Sequence, residues 1–159
     1  MTSIKITDIL SEDVVRTNLE GTTKDEVINA LIELVGARPA VTDKEKVREA
    51  IFERERIMST GVGKGFAVPH GKTDAVTDIV GAFAVTAHPV DYQSLDEQPV
   101  RLLFLLVGRD NMVGPHIKLL SRISRLMNKD EFRRKLLNAA TPAQIIEAFR
   151  QEEATYLES

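Results

Sequence analysis

The chain has 159 residues, 43% of them hydrophobic and 28% charged, with a formal net charge of -3 and no cysteine. This is the balance of a globular domain that can bury its own core, and it excludes disulfides and thiolate metal sites. It also argues against nucleic-acid binding, which calls for a basic excess, and against a membrane span, since no apolar run is long enough. Acidic residues interrupt the only apolar stretch of Met1–Val15, so that segment does not read as a signal peptide. The expectation is a cytoplasmic protein with a single domain over residues 1–159.

Lys5–Asn18 reads as a helical turn and then a strand around Val14–Thr17. Thr23 and Glu26 form a capping-box pattern, followed by an apolar stripe of Val27, Ile28, Leu31, Ile32 and Val35 at helical spacing. Gly36 and Pro39 end this helix. Thr42 and Glu45 suggest a second capping box, opening a helix to about Arg56 with Val47, Ala50 and Ile51 inward. The glycine-rich stretch Ser59–Gly65 then leads into Phe66–His70.

Ile79–Ala87 and Val100–Val107 are continuous apolar runs, as expected of strands covered on both faces. His88–Pro99 between them reads as a loop. Gly114–Pro115 opens a helix with proline in its first turn, and Ile117, Leu120, Ile123 and Met127 are its expected buried face. Lys129–Asn138 is a further helix with Phe132 and Leu136 inward. Thr141 and Pro142 start a last helix that buries Ile145, Ile146 and Phe149, and the charged tail after about residue 151 is expected to fray. The order gives an α/β fold with a mixed central sheet flanked by helices, without the regular alternation of a dinucleotide-binding fold.

Histidine chemistry is confined to three residues, His70, His88 and His116. Pro69 fixes the backbone before His70, and Gly71 leaves space after it. Gly61, Gly63 and Gly65 can turn sharply and present backbone N–H groups to an anion. Imidazole is nucleophilic near neutral pH and can accept and pass on a phosphoryl group. Pro-His-Gly reads equally well as a plain turn. The glycines match neither the G-x-G-x-x-G spacing nor the Walker pattern, so nucleotide binding is weakly supported. His116 lies in the first turn of a helix, where the dipole disfavours imidazolium. A neutral ring there can donate to a phosphoryl oxygen or hold a second imidazole in one tautomer, or it can be a solvated histidine without a role. Arg54 and Arg56 end the second helix and could clamp phosphate or merely complement the dipole. His88 is assigned no chemistry, and no metal-ligand spacing is present.

The segment Arg54–Gly71, with Arg54-Glu55, Ser59-Thr60-Gly61-Val62-Gly63 and Ala67-Val68-Pro69-His70-Gly71, resembles the active-site signature of the fructose/mannitol-type (type 2) IIA domains. These belong to the bacterial sugar phosphotransferase system and include nitrogen-regulatory IIA proteins. Asp96–Val100 and Pro115–Leu120 extend the resemblance over nearly the whole chain.

The resemblance implies the mannitol-specific IIA-like fold and a phosphohistidine at Nε2 of His70. It implies His116 as the neighbouring histidine, Arg54 as a phosphate-stabilising residue, and Thr60, Gly61 and Gly63 as phosphate-binding. The implied donor is phosphorylated HPr or its nitrogen-branch homologue, and the acceptor is a IIB domain or, in a regulator, target proteins. No cofactor or metal is implied. Phe66 and Met58 are expected to dock the partner. Two roles stay open, a sugar-transport subunit and a nitrogen-type regulator, with the single-domain length leaning to the regulator.

Overall fold

In the computed structural model, residues 4–158 are described. The helices are α1 (Ile6–Ile9), α2 (Lys24–Gly36), α3 (Lys44–Ile57), α4 (Val113–Met127), α5 (Asp130–Leu137) and α6 (Pro142–Glu158). The strands are β1 (Val15–Leu19), β2 (Gly61–Gly63), β3 (Phe66–Ala67), β4 (His70–Lys72), β5 (Val80–Val90) and β6 (Val100–Gly108). They form one mixed sheet in the order β1-β5-β6-β3-β2, with β4 also on β6.

The two long strands are the middle of the sheet. β5 and β6 pair antiparallel and are buried almost throughout, because helices cover both of their faces. β5 runs on to Val90, so His88–Val90 belong to a strand and not to the expected loop. β3 and β4 lie parallel to β6 on its other edge, with Ala67 opposite Leu103 and His70 opposite Leu106. They are one strand interrupted at Pro69, which has no N–H to give but whose carbonyl accepts from Leu106 N at 3.0 Å. Segments this short carry no periodicity, which is why β2 and β4 were not legible as strands.

The capping box of α2 is formed: Thr23 accepts from Glu26 N–H, and the Glu26 carboxylate returns to the Thr23 backbone. Its five stripe residues are all buried. For α3 the cap is Asp43, not Thr42; Asp43 accepts from Glu45 and Lys46 N–H, while Thr42 donates to the Ala75 carbonyl.

Two expectations for the last third change. In α4 the buried face is His116, Leu119, Arg122, Ile123, Leu126 and Met127, whereas Ile117 is exposed. And α6 does not fray after Gln151. Glu153 is buried, ion-paired to Arg122 at 2.9 Å, and accepts from Ile6 N–H at 2.8 Å, so the last helix ties α1 to α4. Phe83, Phe104, Phe132 and Phe149 pack edge to face with centroids 5.1–5.9 Å apart, fixing α5 and α6 on the sheet.

Candidate functional site

His70 opens β4, right after the proline break. Its Nδ1 lies 2.7 Å from the Val68 carbonyl oxygen. A carbonyl can only accept, so Nδ1 carries the proton and Nε2 holds a free lone pair. The bond spans two residues across Pro69, so the tautomer depends on where the Val68 carbonyl is held. Burial lowers the His70 pKa, the Val68 bond opposes this, and the Arg54 guanidinium lowers it further. The ring is therefore neutral at pH 7.

His116 reaches His70 from the first turn of α4, with ring centroids 6.0 Å apart and planes tilted by 50°. It is 3% exposed, and neither ring nitrogen has a hydrogen-bond partner. Burial, then the neighbouring His70 and Lys72, push its pKa down to about 4. The expected neutral state thus has desolvation as its main cause.

Both histidines line a cleft of about 510 Å³ together with Ala50, Glu53, Arg54, Gly71, Lys72 and Asp110 among others. Arg54 comes from the last turn of α3, and its Nη1 donates to the Met58 carbonyl at 2.9 Å. Lys72 follows His70 by two residues on β4. Arg54 and Lys72 put positive charge next to two neutral imidazoles, an arrangement suited to an anionic group on Nε2.

Three sequence expectations lie elsewhere. Thr60, Gly61 and Gly63 do not line this cleft. Thr60 is buried with its hydroxyl on Glu55 and Tyr92. A β-carbon on Gly61 would stand 2.2 Å from Ser94 Oγ, so this glycine permits close packing rather than cradling an anion. Phe66 is 2% exposed and belongs to the core, whereas Met58 is exposed, as is its chain neighbour Ile57. Lys72, Glu53 and Asp110 were not singled out in the sequence; for Lys72 the alternation His70, Lys72 on one strand face was the available signal. Among the described residues no group of three His, Asp or Glu side chains converges as a metal site would need, and no helix is long and apolar enough to cross a membrane.

Residues 8–152 match the family model described as "Phosphoenolpyruvate-dependent sugar phosphotransferase system, EIIA 2". The chain belongs to this family. It is 35% identical over 150 residues to the fructose-specific EIIABC component of Bacillus subtilis, covering 94% of this chain but only 24% of that protein. It is 36% identical over 143 residues to a nitrogen regulatory protein of Bradyrhizobium diazoefficiens, covering 89% of this chain and 91% of that one. Among solved structures, nitrogen regulatory protein IIA-Ntr of Neisseria meningitidis superposes with a TM-score of 0.86 at 28% identity, over 91% of this chain and 98% of that one. The mannitol IIA of Escherichia coli shares the fold, with a TM-score of 0.74 at 20% identity over 88% of this chain and 98% of its own. The fold is thus the mannitol-type IIA fold, and the EIIA family places the chain in phosphotransfer or in the regulation attached to it.

Proposed function

We propose that the chain is a cytoplasmic phosphoryl carrier. It accepts the group from phosphorylated HPr, or from the nitrogen-branch homologue of HPr, on Nε2 of His70. It then gives the group to a IIB domain or holds it as a regulatory state. The observation that carries this reading is the 2.7 Å bond from His70 Nδ1 to the Val68 carbonyl, which leaves Nε2 as the nucleophile in a cleft that Arg54 and Lys72 also line.

The Nε2 lone pair attacks phosphorus in line. A nitrogen–phosphorus bond forms as the bond from phosphorus to the donor side chain breaks, and the electrons of that bond stay with the donor. No proton needs to leave His70. The positive charge that develops on its ring is stabilised through Nδ1–H by the Val68 carbonyl. Arg54 and Lys72 offset the phosphoryl charge. His116, neutral and without partners of its own, donates one ring N–H to a phosphoryl oxygen. The donor docks on the exposed apolar residues Ile57 and Met58, which continue from the Arg54 end of α3.

The test is incubation with phosphoenolpyruvate, Enzyme I and HPr, and in parallel with the nitrogen-branch donors. An acid-labile adduct that is lost in His70→Ala and weakened in His116→Ala is the expected result. Which donor set loads the protein faster separates the sugar branch from the regulatory one. Absence of an adduct with both sets would overturn the carrier role.

A further inference from the structure

The signature stretch contains Glu55 and Thr60, neither of which lines the cleft or takes part in the transfer as described. Glu55 directly follows Arg54, yet its carboxylate points the other way and is buried. Its Oε2 accepts from Thr60 N–H at 2.9 Å and pairs with the Lys24 ammonium at 2.8 Å. Its Oε1 accepts from the Tyr92 hydroxyl at 3.0 Å and from the Thr60 hydroxyl. Lys24 also lies 4.7 Å over the Tyr92 ring, so α2, α3, the residue preceding β2 and the segment after β5 all meet at this carboxylate. Burial pushes the Glu55 carboxyl up, but Lys24 and the Thr60 bonds outweigh it and hold it below its usual value.

Two chains of bonds run from this carboxylate into the cleft. The Glu55–Thr60 bonds close a turn that contains Met58, and the Met58 carbonyl is what Arg54 Nη1 grips at 2.9 Å. On the other side, the Thr60 carbonyl accepts from Val68 N–H at 3.0 Å, and the Val68 carbonyl accepts from His70 Nδ1 at 2.7 Å. The carboxylate that fixes Thr60 thereby fixes both the acceptor imidazole and the arginine.

We infer that Glu55 is a positioning residue: by clamping Thr60 it holds the His70 ring and the Arg54 guanidinium at their separation for phosphoryl transfer. The inference rests on the carrier reading of His70. A buried ion pair is by itself weak evidence for stability, since apolar packing can replace it. What marks this one is where its bonds lead.

The experiment compares wild type, Glu55→Gln, Thr60→Val and Ile145→Val by rate of phosphoryl acceptance and by nitrogen-15 NMR of the His70 ring. Glutamine fills the same space but turns an amide toward donors that need an acceptor. A folded Glu55→Gln protein is expected to accept phosphoryl on the order of 10- to 100-fold more slowly, as misplaced reacting groups do. Its His70 ring is expected to lose the single Nδ1–H tautomer. Ile145→Val, a destabilising change in the core on α6, is expected to keep the wild-type rate and tautomer. A folded Glu55→Gln protein with wild-type rate and tautomer overturns the inference. If Glu55→Gln does not fold, Thr60→Val decides on the same two readouts, since it keeps the backbone N–H and loses the hydroxyl. If wild type takes no phosphoryl group from either donor set, the carrier reading fails instead, and an unchanged tautomer in the variant still overturns the positioning role.

Discussion

A β-carbon on Gly108 would stand 2.8 Å from Nδ1 of His116, so the end of β6 is bare where the α4 imidazole lies against it. The backbone of Gly108 is ordinary strand, and the close approach alone demands glycine. Gly108→Ala is therefore expected to push the His116 ring out of place. Overpacking of this kind costs about 1–3 kcal/mol. Phosphoryl acceptance by His70 should fall on the order of tenfold or more, as for other small misplacements. Urea melts and transfer rates measured on the same preparation check both effects.

Acid should destabilise the protein through His116. The unfolded chain protonates this residue below its ordinary value of 6.5, whereas the folded chain resists until about 4. Above pH 6.5 neither state binds the proton and nothing is lost. As pH falls from 6.5 towards 4, stability drops by about 3 kcal/mol from this group. Chemical denaturation at stepped pH should show the slope, and His116→Asn should remove most of it. An unchanged slope in that variant would mean that other groups dominate.

Arg54 is only partly buried and makes one hydrogen bond to the backbone. Arg54→Lys is expected to cost less than about 1 kcal/mol of stability, as for most exposed positions. Transfer should suffer more, by roughly tenfold, because an ammonium cannot hold the Met58 carbonyl and a phosphoryl oxygen in one planar fork. Thermal melts alongside single-turnover transfer separate the two.

Removing the tail should unfold much of the molecule. Glu153→Ala leaves Arg122 buried without its partner and Ile6 N–H without an acceptor. Breaking a buried pair from one side costs about 3–5 kcal/mol. The shift of the denaturation midpoint measures it, and ending the chain after Gln151 should cost at least as much.

Phe66 and Met58 should behave in opposite ways. Phe66→Ala empties the core, with an expected loss of about 3–5 kcal/mol in stability. Met58→Asp, on the exposed patch with Ile57, should leave the melt unchanged and raise the KM for the phosphorylated donor several-fold. Equal KM in Met58→Asp and wild type would remove the patch from the docking surface.

The helices and long strands were legible because each is written in neighbouring residues: a capping pair, an apolar stripe, a continuous β-branched run. The misreadings also have local causes. Thr42 and Asp43 are adjacent and both able to cap, and only the Ala75 carbonyl beside Thr42 decides between them. In α4 an apolar stripe through Ile117 looked inward, yet the buried face holds His116 and Arg122, because His70 and Glu153 wait there. Thr60 looked like a phosphate ligand beside flexible glycines, but its hydroxyl is held by Glu55 and Tyr92, and Glu55 in turn by Lys24, from three separate segments.

By itself the sequence singled out His70 as the candidate nucleophile. The Pro-His-Gly turn and the Val68 carbonyl that accepts from its Nδ1 lie within a few residues, so the ring and its tautomer partner are neighbours in the sequence. Everything that acts on that nucleophile from outside was decided by tertiary structure. His116 meets His70 only because α4 packs over the bare end of β6, and Arg54 reaches the cleft only because Glu55 anchors the end of α3. Contacts between distant segments depend on how whole elements pack, and no local pattern encodes that.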